Sequence, residues 1–333
     1  MKIINKLKDA IRKEPPTLSI CMMGPRAVGK TTVMASVLAE STERFTGTQI
    51  YMKSANSNAS RLISYREELS YAIENRNVSQ LPATGEEADF RFDLGLIGKR
   101  PTVTVSIKDF PGEYLTKEPE KVSDYMAEAN VVLVAIDTPY LMVEEGLYND
   151  EKNMPVLVKE FLMKHSSQLS NKLVLFVPLK CERWFHEGNI EMVTKQVINM
   201  YGDLANFFSD NNTASYVTPI LTLGGMEYDK MEDNTTLLGN VSKIASYRIY
   251  EKNPLYSPLF CSQPIYYLLT YVAHYYQWQK KQSKGFVNVV RNTINSYLTK
   301  DVVFLEEIEK MYKFILTNEQ GYKMITSNSI LNI

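Results

Sequence analysis

Residues 18–36, LSICMMGPRAVGKTTVMAS, contain the pattern that decides the fold. The apolar run Leu18–Met23 predicts a buried parallel strand, and Thr32–Glu40 has the composition of a helix. Between them, Gly24–Thr31 matches G-x-x-x-x-G-K-[ST] in the strand–loop–helix context that a phosphate-binding loop requires. A glycine-rich turn before an ordinary helix is the alternative, but it leaves the preceding strand unexplained. Gly24–Thr31 is called the glycine loop below.

The glycine loop has the residue types that bind a phosphate chain. Gly24 and Gly29 allow backbone N–H groups to turn towards an anion, and the helix N-terminus adds partial positive charge. We expect Lys30 to reach the β- and γ-phosphates and the Thr31 hydroxyl to coordinate Mg²⁺. The predicted nucleotide contacts of this segment are Gly24, Pro25, Arg26, Ala27, Val28, Gly29, Lys30, Thr31 and Thr32.

Composition limits the other functions that the chain could have. Its 37 basic and 38 acidic residues give a net charge of −1, which provides no global electrostatic attraction to nucleic acid or membranes. Three widely spaced cysteines, Cys21, Cys181 and Cys261, indicate a reducing compartment, and three histidines without a C-x-x-C pattern argue against a zinc site. No signal peptide is evident, and the apolar stretch Ile265–Ala273 is too short to cross a bilayer. We therefore expect a cytoplasmic protein without a transmembrane segment.

The N-terminal segment, residues 1–16, is predicted to be an amphipathic helix. Apolar side chains within residues 2–13 fall on one helical face and lysines on the other. Such a helix can lie on an acidic membrane. Packing on its own domain is the favoured alternative, and Pro15-Pro16 ends the helix.

The remaining chain is predicted to be one domain, residues 17–283, followed by a helical extension, residues 284–333. The domain contains two insertions, at about 41–87 and 222–263. The first carries helical spacing over 60–75, and the second is expected to be irregular apart from a two-residue alternation around 241–250.

Predicted strands and helices alternate along the domain. Strands are expected at 89–96, 102–107, 131–136, 172–177 and 215–221, and helices at 123–130, 151–169, 189–208 and 264–282. This alternation predicts an α/β fold with a doubly wound, mostly parallel sheet.

A second motif, Asp109-Phe-Pro-Gly112, follows an apolar strand. Asp109 can hold Mg²⁺ through water, and the Gly112 N–H can meet a γ-phosphate. A strand-ending turn explains these residue types equally well in isolation. Thr84, ahead of the strand at 89–96, has the placement of a further magnesium ligand, although a Thr-Gly pair is also a common turn.

A third motif, Leu179-Lys180-Cys181-Glu182, also follows a strand. The Glu182 carboxylate can accept two hydrogen bonds from guanine, whereas adenine lacks that donor pair. The Lys180 stem can lie across the base. Solvated charges in a loop are an equally good explanation of this motif alone.

The order of GPRAVGKT, DFPGE, LKCE and TPILTLGG resembles a Ras-like, translation-factor-class P-loop GTPase. Within that class the chain is similar to the bacterial "double-GTPase" families. The pointers are DFPGE in place of DxxGQ, the strand VVLVAIDTPYL, and TLGG after the last strand. The resemblance covers residues 17–283.

The resemblance implies a Ras-like G domain that binds GTP with Mg²⁺, hydrolyses it slowly to GDP, and switches conformation at Thr84 and at 109–113. It also implies that Leu223, in TLGG, contacts the nucleotide. The role implied is in a bacterial multi-protein system of the signalling or defence type, beside other proteins and a second GTPase encoded nearby.

Three residues depart from the family pattern. Leu179 and Glu182 replace the Asn and Asp of Asn-Lys-x-Asp, and Glu113 replaces the Gln that orients water. A carboxylate accepts a hydrogen bond from water but cannot donate one to phosphate. We expect Lys30, Glu113 and Arg26 to be the catalytic residues, with Arg26 in the role of an arginine finger. The alternative for Arg26 is exposure to solvent or pairing with Glu113.

Two other functions fit parts of the sequence. The mismatched LKCE motif favours a P-loop ATPase or a nucleotide kinase, although no arginine-rich lid pattern of a kinase is evident. Glu113 favours a GTP-binding scaffold with little or no turnover.

Overall fold

The computed structural model describes residues 14–41, 45, 47–75, 87–235, 241–250, 254–282, 301–317 and 323–331. Three sequence predictions lie outside the described residues: the helix over 2–13, the magnesium ligand Thr84, and the part of the predicted helical extension over 287–298. These remain predictions.

An eight-stranded, mostly parallel sheet forms the centre of the fold, in the order β10-β7-β6-β5-β1-β4-β3-β2. Strands β7, β6, β5, β1 and β4 are parallel, and the remaining three strands pair antiparallel at the two edges. The strands of this sheet are β1 Thr17–Met23, β2 Ile50–Ser54, β3 Ala88–Leu96, β4 Val103–Asp109, β5 Val131–Asp137, β6 Leu173–Leu179, β7 Ala214–Val217 and β10 Lys323–Thr326. The predicted α/β class with a mostly parallel sheet is confirmed.

Helices cover both faces of this sheet. They are α1 Lys30–Glu40, α2 Ser57–Glu74, α3 Tyr114–Lys117, α4 Pro119–Glu128, α5 Thr138–Met142, α6 Asn149–Lys152, α7 Pro155–Lys164, α8 Glu182–His186, α9 Ile190–Tyr201, α10 Leu204–Asp210, α11 Gln263–Gln282 and α12 Val302–Thr317. Because side chains alternate along a strand, Ile20 and Met22 of β1 join one apolar core while Cys21 and Met23 join the other. Helices pack on both faces of the sheet because the buried strands carry apolar side chains on both sides.

The first insertion contains a strand as well as the predicted helix. The helix is present as α2, and the Asn56 side chain caps it by accepting a hydrogen bond from the Ala59 N–H at 2.9 Å. Strand β2 pairs antiparallel with β3 and was not predicted. Its five residues are too few for a periodic signal to stand out.

The second insertion is a β-hairpin, so the prediction of an irregular segment over 222–263 was wrong. Strand β8, Met226–Thr235, pairs antiparallel with β9, Val241–Ile249. The alternation around 241–250 indicated only β9. Half of the residues of β8 are charged, so no apolar alternation marks it in the sequence. Its Met226 and Tyr228 are buried by neighbouring elements.

The C-terminal extension is not purely helical. Helix α12 packs on α11 and buries Phe304, Ile308 and Met311 in the apolar core to which Ile20 and Met22 belong. The chain then forms β10, which pairs antiparallel with β7 at the sheet edge. The spacing of the buried residues in α12 was visible in the sequence, whereas the four residues of β10 carry no recognisable strand pattern.

No helix in the described ranges combines the length and the hydropathy that crossing a membrane demands.

Candidate functional site

The glycine loop joins β1 to α1 and passes over the end of β5. Gly24 has φ of 150°, and a Cβ there would lie 3.1 Å from the Ala135 carbonyl oxygen. Gly29 is the N-cap of α1 in the left-handed conformation, and Ala27 also has a positive φ, of 60°. Left-handed residues within a tight loop create the backbone nest that binds anions. The loop therefore has the backbone geometry that the motif predicted.

Lys30 lies beneath the glycine loop. Its side chain is buried, and Nζ donates to the carbonyl oxygens of Gly24 at 3.0 Å and Pro25 at 3.2 Å. Burial lowers the pKa of Lys30, although the Asp109 carboxylate opposes the change. The ammonium is thus held at the loop by neutral carbonyl groups, with a carboxylate close enough to favour its charged form.

Asp109 is brought to the glycine loop by strand register. It is the last residue of β4 and lies beside Met22 of β1. The Thr31 hydroxyl donates to Asp109 Oδ2 at 2.9 Å. Burial raises the pKa of Asp109, while Lys30 and the Thr31 hydrogen bond act in the opposite direction. Two residues 78 positions apart, both predicted as magnesium ligands, therefore meet directly.

Gly112 packs against the backbone of the glycine loop. A Cβ at this position would lie 2.3 Å from both the Arg26 nitrogen and the Pro25 carbonyl carbon. Only glycine permits this approach, because side-chain carbon atoms do not come that close to backbone. The segment after β4 is thereby coupled sterically to the loop.

Glu113 pairs with two exposed cations. Its carboxylate accepts from Lys117 Nζ at 2.7 Å and from Arg26 Nη1 at 3.3 Å. The Lys117 hydrogen bond, and to a smaller degree Arg26, lower the pKa of Glu113. Arg26 thus has the Glu113 partner that was one of its predicted alternatives.

Lys180 crosses the glycine loop from the end of β6. Its backbone is left-handed, with φ of 60°, and its Cε lies 3.5 Å from the position that a Cβ of Gly29 would take. Nζ pairs with Asp137 Oδ2 at 2.6 Å. Burial lowers the pKa of Lys180, but Asp137 and Tyr247 together more than offset this, so that the net shift is upward.

Glu182 and Leu223, both predicted to contact a nucleotide, contact each other. Glu182 begins α8, is 1% exposed, and accepts a hydrogen bond from the Leu223 N–H at Oε1, at 2.5 Å. Burial raises the pKa of Glu182 to about 8. Its Oε2 has no hydrogen-bond partner within the described part of the chain. The carboxylate therefore anchors the segment after β7 through one oxygen.

The remaining predicted contacts lie in or beside the glycine loop. Val28 is fully buried, and the Thr32 hydroxyl lies 3.3 Å from the Tyr65 hydroxyl of α2. The structure thus brings together all the predicted site residues except Thr84, which is outside the described residues. They form two groups, which are named after the contacts predicted for them: the phosphate side at α1 and β4, and the base side at the ends of β6 and β7.

Three residues that contact Lys180 or Thr32 were not predicted: Asp137, Tyr65 and Tyr247. Asp137 had a usable signal, because an acidic residue ends the buried strand that pairs with β1. Tyr65 and Tyr247 belong to the two insertions, where no motif fixes which side chains reach the site.

Comparison with protein-family models and with curated proteins found no match. Among solved structures, the Ski7 GTPase-like domain of S. cerevisiae, bound to GDP and inorganic phosphate, has a TM-score of 0.42 at 15% identity, covering 75% of this chain and 50% of that chain. A bacterial selenocysteine-specific elongation factor has a TM-score of 0.33 at 14% identity, covering 62% and 26%. Era, in complex with MgGDPNP and a ribosomal RNA fragment, has a TM-score of 0.34 at 16% identity, covering 63% and 52%. The chain therefore spans about half, or less, of each of these chains.

Proposed function

We propose that the chain binds GTP with Mg²⁺ at the glycine loop, hydrolyses it slowly to GDP, and acts as a nucleotide-dependent switch. One observation carries the proposal: Thr31 Oγ1 lies 2.9 Å from Asp109 Oδ2 while the Lys30 ammonium lies under the same loop. A nest of amides, a buried ammonium, a hydroxyl and a carboxylate are the groups that a magnesium–triphosphate complex needs.

The oxygen atoms of Thr31 and Asp109 fit a magnesium ion. Mg²⁺ prefers hard oxygen ligands and binds through one or two protein groups together with water and phosphate oxygens. The hydrogen bond between the two side chains holds both oxygens at the junction of α1 and β4. When bound, the metal neutralises charge that develops on the phosphate oxygens. Thr84 remains a proposed third ligand.

The phosphate chain is proposed to lie along the glycine loop. Lys30 would exchange its bonds to the Gly24 and Pro25 carbonyl groups for phosphate oxygens, at little cost because these acceptors are neutral. Gly112 is proposed to present its N–H to the γ-phosphate, and its contact with the loop backbone supports that placement. Loss of the γ-phosphate would then free the segment at 109–113, which is the proposed switch.

Hydrolysis is proposed to be weak, because Glu113 is paired with Lys117 and Arg26. A carboxylate can accept a hydrogen bond from the attacking water but cannot donate to a phosphate oxygen. Arg26 is proposed to move from Glu113 to the phosphates as an arginine finger. Where such a residue operates it accelerates hydrolysis by ~10³–10⁵-fold.

Guanine is the proposed base, with contacts from Lys180, Glu182 and Leu223. Glu182 Oε2 is the oxygen proposed to accept from guanine once the carboxyl group has lost its proton, because Oε1 already accepts from the Leu223 N–H. Glu182 is 1% exposed, so a base can reach it only after neighbouring side chains move. Leu179 in place of asparagine weakens the expected selectivity.

We place this switch in the cytoplasm, in a bacterial multi-protein system of the signalling or defence type. The order of motifs, and in particular DFPGE and TLGG, supports a double-GTPase family member that acts with other proteins, among them a second GTPase encoded nearby.

Titration with a fluorescent GTP analogue in the presence of Mg²⁺ tests the function. We expect saturable binding that unlabelled GTP reverses and that ATP reverses only at far higher concentration. Equal competition by ATP would mean that the base assignment is wrong and that the chain is a P-loop ATPase. If no nucleotide binds, the proposed function is wrong.

A second candidate function is a GTP-binding scaffold without turnover. The pairing of Glu113 with Lys117 at 2.7 Å favours it, because a carboxylate held by a neighbouring lysine is poorly placed to activate water. Phosphate release over hours, measured with and without a candidate partner, separates the two functions. Phosphate release faster than in buffer without protein supports the enzyme. No phosphate release above that background, with or without the partner, supports the scaffold.

A further inference from the structure

The β8–β9 hairpin contacts the lysine that crosses the glycine loop. The Lys180 ammonium lies 5.7 Å from the centre of the Tyr247 ring, and the Tyr247 hydroxyl is one of the groups that raise the pKa of Lys180. Its second partner is Asp137 Oδ2, at 2.6 Å. Two groups on separate elements, β5 and β9, therefore fix the position of one ammonium.

The position of Lys180 affects the glycine loop directly. Its stem packs at Gly29, the N-cap of α1, with Cε at 3.5 Å from the position of an added Cβ. The Tyr247 ring also packs against the apolar cluster of Ile73, Leu223 and Met226. One side chain of the hairpin thus contacts both chain segments that are proposed to hold the base.

The hairpin holds Tyr247 in place through several independent contacts. In β9, the Ala245 N–H donates to the Tyr140 hydroxyl at 3.1 Å. In β8, the Tyr228 ring stacks on Trp184 of α8, and the Asp229 carbonyl accepts from Arg183 at 3.0 Å. The hairpin and α8 are therefore packed as a unit, so the position of Tyr247 is set by structure outside the glycine loop.

We propose that Tyr247 is a positioning residue of the nucleotide site: with Asp137 it holds the Lys180 side chain across the glycine loop, and so the hairpin sets the rate at which nucleotide leaves. This inference rests on the proposed GTP-binding function. Lys30 is proposed to hold the phosphates, and Thr31 and Asp109 the magnesium ion, independently of Lys180. Loss of the Tyr247 hydroxyl therefore speeds release without removing the phosphate site.

Dissociation of a fluorescent GTP analogue, measured with the full chain in the presence of Mg²⁺, tests the inference. Tyr247→Phe removes one hydroxyl and keeps the ring. We expect dissociation to become up to about tenfold faster, because the charged ammonium loses a neighbouring polar group. Tyr228→Phe is the matched control, because it makes the same change in the same hairpin beside Trp184 rather than Lys180. It should dissociate at the wild-type rate.

A double-mutant cycle distinguishes positioning from a general loss of structure. Lys180→Met keeps much of the stem and removes the ammonium, so Tyr247→Phe should have no further effect in that background. Asp137→Asn removes the charge of the other partner of the Lys180 ammonium and should also speed nucleotide release. An unchanged rate in Tyr247→Phe, or an equal effect of Tyr247→Phe in the Lys180→Met background, overturns this inference and leaves the proposed function intact. Failure of the wild-type chain to bind the analogue overturns both.

Discussion

The phosphate side and the base side of the site each contain a lysine near a buried aspartate, yet the two pairs differ. Lys180 is bonded to Asp137 at 2.6 Å, and its pKa is raised. Lys30 donates instead to two carbonyl groups, and its pKa is lowered. The charge of a lysine bonded to a carboxylate is neutralised within the protein. A lysine bonded only to carbonyl groups keeps its positive charge available for an anionic ligand. The first arrangement suits positioning and the second suits phosphate binding.

The two sides also differ in where their residues come from. The phosphate side uses one continuous loop and the end of one strand, β4. The base side uses the ends of β6 and β7 together with side chains from the hairpin insertion. Sequence motifs therefore describe the phosphate side well and the base side poorly. The predictions that follow separate the two sides experimentally.

The largest effect is expected from Lys30→Ala on the phosphate side. It removes the only ammonium that lies beneath the glycine loop among the described residues, and affinity for the GTP analogue should fall by ~100-fold or more, as expected for several charge-assisted bonds. Equilibrium titration gives this value. Lys159→Ala is the control, because Lys159 of α7 pairs with Asp203 and belongs to neither side. If Lys30→Ala retained the wild-type affinity, the proposed binding of phosphate at the glycine loop would be contradicted.

Asp109→Asn should reduce the dependence of binding on magnesium. The amide keeps the size of the side chain and loses the charge, so the gain in affinity on adding Mg²⁺ should shrink by about tenfold. Titrations with Mg²⁺ and with a chelator measure this gain. Asp203→Asn changes an exposed aspartate elsewhere and should leave the gain unchanged. An undiminished magnesium response in Asp109→Asn means that the metal binds elsewhere.

Gly112→Ala should disturb the contact between the β4 end and the glycine loop. The added Cβ would lie 2.3 Å from loop backbone, and relief of such a clash costs about 1–3 kcal/mol. We expect a lower free energy of unfolding and weaker nucleotide binding. Gly98→Ala adds a methyl group where nothing lies within 4 Å, at a positive φ of 78°. Gly98→Ala should lower stability without weakening nucleotide binding. Equal losses of binding in the two variants would therefore contradict steric coupling between the end of β4 and the glycine loop.

Glu182→Gln should change the pH dependence of stability on the base side. The pKa of Glu182 rises from 4.5 to about 8 on folding, so the folded chain retains a proton that the unfolded chain releases. Its contribution to stability is complete below pH 4.5 and is lost as the pH rises to about 8. The unfolding free energy of the wild type relative to Glu182→Gln should therefore fall over that window, by at most about 1.4 kcal/mol per pH unit.

Chemical unfolding at several pH values measures this difference. Glu113→Gln is the control, because that carboxylate is exposed and its pKa is lowered rather than raised. Its difference from the wild type should not fall between pH 5 and 8. A flat difference for Glu182→Gln would show that Glu182 is ionised in the folded chain.

The central sheet and the phosphate side could be predicted from the sequence because apolar runs and short motifs mark them locally. Apolar runs located β1, β4, β5, β6 and β7, and parallel register then placed Asp109 beside Met22 and next to the glycine loop. The base side depends on tertiary contacts that no short motif records. Tyr247 reaches Lys180 only because β8, a strand rich in charged residues, docks on α8. Strand β8 was missed for the same reason, whereas β2 and β10 are too short to carry a recognisable strand pattern.

A crystal structure of the chain with a non-hydrolysable GTP analogue and Mg²⁺ tests the central claim most directly. The account predicts the triphosphate within the glycine loop, with Lys30 Nζ on phosphate oxygens and the metal at Thr31 and Asp109. A nucleotide bound elsewhere, or a metal that neither Thr31 nor Asp109 contacts directly or through water, would contradict it.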